Sequence, residues 1–343
     1  MCVDKKLDRN ILSFYKKNHW NIVKVMRIFI SGVAGFIGSN LAIDLLEKGY
    51  EIIGLDNFST GFRHNIEDIK NSISNPRQKF SFVEGDIRDY SLCLKMMEDV
   101  DVVLHQAALG SVPRSLETPH ISTDVNVTGF VNMLTAAQKC KVSKFLYASS
   151  SSVYGDSEKL PKEETDKGNL LSPYALTKAI NESYGDVFAR CYDMSIIGLR
   201  YFNVFGPRQN PKGAYAAVIP LWIDNLIHDE PVYINGDGNT SRDFTYIKNV
   251  VDANIAALNY NIKGHTVFNI AAGGRVTLNE LFNEIRKALD KENIEATYRD
   301  FRPGDITHSY ADISKACNAF GYNPSINAHQ GIAKTVFWYL NSN

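Results

Sequence analysis

Cysteine is scarce in this chain and follows no pairing pattern. Among 343 residues there are five, Cys2, Cys93, Cys140, Cys191 and Cys317, an odd number with no CxxC pair. That spacing excludes a disulfide framework and reads as reduced thiols of a cytoplasmic protein, with no metal site implied. Net charge is missing as well, since 37 Lys and Arg face 38 Asp and Glu. Such a balance shows neither the basic footprint of a nucleic-acid binder nor that of a membrane-surface protein. No apolar run approaches the ~20 residues of a membrane-spanning helix. The first 25 residues carry Lys5, Lys6, Lys16, Lys17 and His19 without an apolar stretch, so they read as an added helix or loose arm, not a signal peptide. No internal repeat, low-complexity tract or obvious linker interrupts the chain.

What is present is a rhythm. Short segments rich in Val, Ile, Leu and Phe at 27–31, 51–55, 80–84, 100–105, 144–149 and 195–200 alternate with helix-length stretches at 36–48, 90–98, 122–139 and 173–191. Repeated βα units predict an α/β fold of Rossmann type, a doubly wound parallel sheet. After about Tyr201 the rhythm changes and Gly, Pro and Asn thicken. We therefore expect an N-terminal extension at 1–25, a dinucleotide-binding domain at 26–200, and a smaller C-terminal substrate lobe at 201–343, partly interleaved with the first.

The first apolar segment runs into Gly32, Gly35 and Gly38, a GxxGxxG pattern that opens a helix at Phe36 and Ile37. The first glycine permits a tight turn, the second a close approach to a pyrophosphate, and the third close packing of the helix. The helix N-terminus then offers free N–H groups to the anion. The second strand, EIIGLD, ends at Asp56. A carboxylate there hydrogen-bonds both ribose hydroxyls and repels a 2′-phosphate, which favours NAD over NADP. Asp86 and Ile87 follow the third strand, where they would hold adenine, or where Asp86 would instead cap the helix at Tyr90. Gln106, Ala107 and Ala108 follow the fourth strand and leave room for the cofactor.

A second cluster is SPYALTK. Ser172 is a good N-cap and Pro173 a good first helical residue. Tyr174 and Lys178 then share one helical face at i and i+4. A neighbouring ammonium favours the phenolate and lowers a tyrosine's pKa, which suits Tyr174 to take a proton from a hydroxyl. The fifth strand ends in Ser149, Ser150, Ser151 and Ser152, four hydroxyls at a carboxyl edge. The alternative is a polar loop with local serine–backbone bonds.

With GVAGFIGSN, GLDNFSTG, EGDIRD, LHQAALGSVPRS, SSSSVYGD, SPYALTK, LRYFNVFGPRQ, GDGNTSRDF and FRPGD in this order, the chain over 26–343 resembles the extended short-chain dehydrogenases/reductases of the nucleotide-sugar epimerase group. The closer likeness is to the acetamido-sugar branch of the UDP-hexose 4-epimerases, which interconverts UDP-GlcNAc and UDP-GalNAc. The resemblance implies a catalytic set of Ser150, Tyr174 and Lys178, and a tightly held NAD reduced and reoxidised in each turnover through a 4-keto sugar. It implies further NAD contacts at Asn57, Ser59, Thr60, Gly61, Asn126 and Tyr201. On the UDP-sugar side it implies Arg242 and Arg302 for the diphosphate, where a guanidinium fork suits phosphate oxygens. Asn203, Ala217, Val218, Tyr233, Asn235 and Asp305, with Gly110, Ser111 and Ser151, would touch sugar or uridine. A small Ser309 would leave room for a 2-acetamido group.

Related activities fit less well. Sugar-nucleotide 4,6-dehydratases need an acid–base pair where this chain has Ser151 and Ser152, and UDP-glucuronate decarboxylases carry a Glu in that loop. A scaffold or sensor built on the fold would not need Tyr174 and Lys178. An epimerase of UDP-GlcNAcA or of plain UDP-hexoses stays open. The apolar residues of 122–139 exceed what one face needs against a sheet. By resemblance, this helix and the Tyr–Lys helix would pair two copies into a homodimer through a four-helix bundle. Burial under the second lobe is the other use for that face. Products of such epimerases commonly feed surface polysaccharides such as O-antigen.

Overall fold

The computed structural model describes residues 25–213, 216–301 and 308–341. The expected contacts Arg302 and Asp305, and nearly all of the N-terminal extension, lie outside the described residues.

Seven parallel strands form the central sheet: β1 (Arg27–Ser31), β2 (Glu51–Asp56), β3 (Lys79–Glu84), β4 (Val102–His105), β5 (Lys144–Ser150), β6 (Ile196–Tyr201) and β7 (His265–Ile270). Their order is β7-β6-β5-β4-β1-β2-β3. The order reverses between β1 and β4, which opens a crevice at their carboxyl ends. Both sheet faces are covered, so the strands read as nearly continuous apolar runs and not as alternating ones. The period of two survives in where each side chain goes. Ile28, Ile30, Val102, Leu104, Leu146 and Ile197 join one core cluster, while Phe29, Val103, Phe145, Tyr147 and Ile196 join the other.

On the first face lie helices α1 (Phe36–Glu47) and α6 (Ile247–Asn259). On the second lie α2 (Tyr90–Met96), α3 (Phe130–Lys139) and α4 (Pro173–Tyr192). Helix α5 (Val218–Ile227) and helix α7 (Ala328–Asn341) pack on one another beyond the sheet. Helix α4 begins as its sequence dictates. The Ser172 hydroxyl accepts from Ala175 N at 3.1 Å, with Pro173 at the first position, a cap that contributes about 1 kcal/mol.

Three expectations are corrected. Residues 267–270, a short strand signal that falls within the expected smaller lobe, belong to β7, which pairs along its whole length with β6 as the outermost strand of the main sheet. The stretch 122–139 is not one α-helix: it runs as Pro119–Thr123, a π-helical turn at Asp124–Gly129, and α3. The apolar excess of that stretch is largely consumed inside the protomer, where Phe130, Met133, Leu134, Ala136 and Ala137 are buried and α3 packs against α2.

Candidate active site

The turn between β1 and α1 is built from backbone. Gly32 holds φ +73°, and a Cβ there would stand 2.7 Å from Ala107 N. A Cβ on Gly38 would stand 2.1 Å from Gly32 O, so the third glycine is required by the turn itself more than by the sheet. A Cβ on Gly35 would meet only Gly32 O, at 3.2 Å, so its outer face is open. No side chain caps α1, so the N–H groups around Phe36 and Ile37 point outward with the positive end of the helix dipole. Beside this turn Gly32, Asp56, Asn57, Ser59, Thr60, Asp86, Ile87, Ala107 and Ala108 line one crevice. An uncapped helix end, an open glycine and a carboxylate at the next strand end fit a dinucleotide's pyrophosphate and ribose.

Asp56 is well placed but already engaged. Its carboxylate accepts from Ala34 N at 2.9 Å and Phe58 N at 2.8 Å, and burial lifts its pKa above the ordinary 3.8. Asn57 donates to Asp86 at 2.7 Å, and Arg88 grips the same carboxylate, which holds Asp86 down at about 2. Asp86 does not cap the following helix; Asp89 does, accepting from Leu92 N. Gly61 packs its Cα against Ala34. Asn126 sits in the π-turn, 1 % exposed. Its amide donates to Leu109 O and Thr177 Oγ1 and its carbonyl accepts from Leu109 N at 2.7 Å, so it ties the loop after β4 to α4. π-turns of this kind concentrate at functional sites. The Tyr201 hydroxyl meets Gln106 and Asn254.

Ser150, Tyr174 and Lys178 come together at the carboxyl end of β5. The Ser150 hydroxyl accepts from Ser152 N at 3.1 Å and, as a hydrogen-bonding neighbour of the Tyr174 hydroxyl, favours its phenolate. Lys178 is 3 % exposed and donates to Ala148 O at 2.8 Å. Burial pulls this amine down to about 8, against the opposing charge of Glu182. Tyr174 departs from expectation. Its ring is partly exposed but its hydroxyl lies deep, and burial raises its pKa above 10, while the Ser150 hydrogen bond pulls the other way. Lys178 Nζ is 5.9 Å from the ring centroid, too far to reverse the cost of burial in the protein alone.

On the substrate side a cavity of about 380 Å³ opens next to this cluster, and Ser151, Asn203, Arg242 and Ser309 all line it. Ser309 N donates to Ser241 O at 3.0 Å. Gly110, Ala217, Val218, Tyr233 and Asn235 are not among its lining residues. Gly110 faces open space. Ser111 is held at φ +96°, a costly conformation for serine, where its hydroxyl caps the helix Val112–Glu117. Ala217 and Val218 begin α5, and Tyr233 lies beneath the Arg299 guanidinium at 3.2 Å. Sequence reasoning missed Lys162, Phe202 and His308 in the cavity. It also missed Asp243, fully buried, which accepts from Ala272 N at 2.9 Å and Ala311 N at 3.5 Å. Burial lifts Asp243 to about 7 against those backbone bonds. Its place between Arg242 and Phe244 in SRDF was the available signal.

A doubly wound sheet with this glycine turn and this Tyr–Lys helix defines a dinucleotide-dependent enzyme of the short-chain dehydrogenase/reductase type. The chain belongs to the NAD dependent epimerase/dehydratase family, whose model matches residues 28–271. A UDP-glucose 4-epimerase of Mycolicibacterium smegmatis is 35% identical over 318 residues, 92% of this chain and 99% of its own. The UDP-N-acetylglucosamine 4-epimerase of Methanobrevibacter ruminantium M1, solved with UDP-N-acetylmuramic acid, is similar at 34% identity and TM-score 0.86, over 93% of this chain and 100% of its own. A UDP-glucuronic acid 4-epimerase variant of Bacillus cereus, solved with NAD and UDP-4-deoxy-4-fluoro-glucuronic acid, matches at 31% and 0.84, over 93% and 100%.

Proposed function

We propose that this protein is a UDP-sugar 4-epimerase that interconverts UDP-GlcNAc and UDP-GalNAc with a retained NAD. The observation that carries the reading is the convergence of Ser150, Tyr174 and Lys178 at the end of β5, beside a cavity lined by Arg242, Asn203 and Ser309. Tyr174 takes the proton of the sugar 4-hydroxyl, and Ser150 donates to the same phenol oxygen and steadies its charge. Lys178 supplies the positive charge that burial alone denies the tyrosine. Bound NAD would supply the hydride acceptor and donor for C4, with Asp56 holding its adenosine ribose and the uncapped end of α1 its pyrophosphate. Arg242 grips the diphosphate of the sugar nucleotide. Ser309 leaves space for the 2-acetamido group.

A second reading has its own support. The cavity lining includes Lys162, Arg242 and His308 and, among the described residues, no carboxylate. One cation beyond the need of the diphosphate favours a sugar that is itself acidic, UDP-GlcNAcA. Proton NMR of the purified protein with UDP-GlcNAc, UDP-Glc and UDP-GlcNAcA, without added NAD, decides between them. UDP-GalNAc forming fastest supports the first reading. Conversion of UDP-GlcNAcA alone supports the second, and no conversion even with NAD supplied refutes both.

The assembly reading is a homodimer. Leu176 and Val187 lie three turns apart on one stripe of α4, 49% and 43% exposed; Tyr192 at its end, and Leu116 and Ile121 on the helices Val112–Glu117 and Pro119–Thr123 that contact α4, are exposed as well. A stripe of this kind marks an interaction surface. Val187→Glu is expected to shift the sedimentation coefficient from dimer to monomer; an unchanged value sinks this reading.

A further inference from the structure

The proton-acceptor reading of Tyr174 leaves a half-buried carboxylate unexplained. Glu182 continues the spacing of Tyr174 and Lys178 by one more turn of α4, and three elements meet on it. Ser149 Oγ, from β5, donates to its Oε1 at 2.6 Å. Arg200, from β6, donates to both oxygens, Nε to Oε1 and Nη2 to Oε2, each at 2.8 Å. Ser149 is 3 % exposed and stands between Ala148, whose carbonyl accepts from Lys178, and Ser150, which bonds Tyr174. Arg200 is opposite Ser149 in the β5–β6 register and also donates to Glu164 O at 2.9 Å.

We propose that Glu182 is a positioning residue for the reaction: it clamps the catalytic end of β5 to α4 and keeps Lys178 protonated for Tyr174. The proposal rests on the Tyr174 reading of the site. The surrounding charges leave this task to Glu182. Lys178 faces Tyr174 and Glu182 on its own helix and His105 on β4, which burial holds neutral with Nδ1 on the Ser31 hydroxyl at 2.7 Å. Glu182 faces Arg200 on β6, Tyr147 on β5, His265 on β7 and Lys315 on the helix Ser314–Phe320. Tyr147 and His265 bond each other at 2.9 Å, and burial pushes both toward their neutral forms. Asp186, one turn further along α4, pairs with Arg190, and Glu164 accepts from Asn269 N at 2.8 Å. Glu182 is therefore the anion that answers three cations at once, Arg200 and Lys315 away from the reacting centre and Lys178 at it.

The test uses opposite signs. In full-length protein carrying 13C at the lysine Cε, with the Lys178 signal assigned by Lys178→Met, the Lys178 titration is followed by NMR alongside the pH dependence of kcat. Glu182→Gln removes the anion, so the Lys178 midpoint falls by about one pH unit. The upper limb of the kcat profile moves down with it. Arg200→Gln removes the cation bonded to both Glu182 oxygens and leaves Lys315 in place, so both move up, and this arm decides the matter by itself if the first variant does not fold. Ser149→Ala removes a hydroxyl and no charge and leaves the midpoint in place. A Lys178 midpoint that is the same in wild type, Glu182→Gln and Arg200→Gln overturns the proposal. If wild type converts no UDP-sugar, the function reading fails, while the lysine titration still decides the role of Glu182.

Discussion

The crevice beside β1 and the cavity beside β5 are made in different ways. The first is built on backbone, drawn from one βα unit and the ends of β2, β3 and β4. Its shape depends on atoms that are missing, the Cβ positions of Gly32 and Gly38. The second is mostly side chain, assembled from the loop after β4, the end of β5, the start of α4, and the segments at 202–203, 242 and 308–309. A backbone site is hard to vary where, as at Gly32 and Gly38, any side chain meets a main-chain atom. A side-chain cavity can be retuned one residue at a time. The difference explains how relatives of similar fold carry UDP-glucose, UDP-N-acetylglucosamine and UDP-glucuronic acid in their names.

Four experiments would sharpen that contrast or break it. The largest effect belongs to the backbone side: Gly38→Ala forces a Cβ to within 2.1 Å of Gly32 O. It should cost roughly 3 kcal/mol or more of stability, read as a lowered Tm and loss of NAD from the purified protein; a variant that melts like wild type with full NAD content would show the turn to be pliant. Next, Tyr174→Phe should lower kcat by about a thousandfold with KM for the UDP-sugar little changed, measured by NMR turnover.

A smaller effect is expected from Ser309→Tyr, which narrows the cavity. The rate ratio of UDP-GlcNAc to UDP-Glc should fall at least about tenfold, and an unchanged ratio would remove Ser309 from the specificity argument. The smallest concerns Asp243, whose pKa rises from 3.8 to about 7 on folding. The folded state therefore binds the extra proton between those values, so this group's contribution is full below pH 4 and is lost as pH climbs through 7. Asp243→Asn should flatten that fall in a series of thermal melts between pH 4 and 8, whereas an unaltered slope would assign the loss to other groups.

The same contrast governs what could be read in advance. Strand β1 and the start of α4 were legible to the residue, because a run of apolar residues ending in glycine, and a Ser-Pro before a periodic helix, are local signals. Strand β7 was not placed, since pairing with β6 is a long-range event that its own residues do not announce. The π-turn around Asn126 has no period of its own and hides inside an amphipathic helix. The upward shift of Tyr174 was missed for a related reason. Spacing places Lys178 on the same face, but the balance between a nearby charge and desolvation depends on depth, which no spacing reports. Lys162 and His308 line the cavity but carry no motif of their own, even though His308 stands next to Ser309.

One small pairing has a further consequence. Val204 and Phe205 leave β6 and run parallel to Thr245 and Tyr246, in register, so the chain departs and returns through adjacent points about 5 Å apart. Between those points lie α5 and Arg242, in a stretch that is also tied to the rest of the molecule by the pairing of Tyr233–Asn235 with Thr297–Arg299 and of Ser241–Arg242 with Val276–Thr277. A segment whose two ends already touch can be exchanged for a longer, shorter or foreign one at little entropic cost to the rest. A transplant from one relative into another would therefore carry the partner strands at 276–277 and 297–299 with it, while the glycine turn and the Tyr–Lys helix stay as they are.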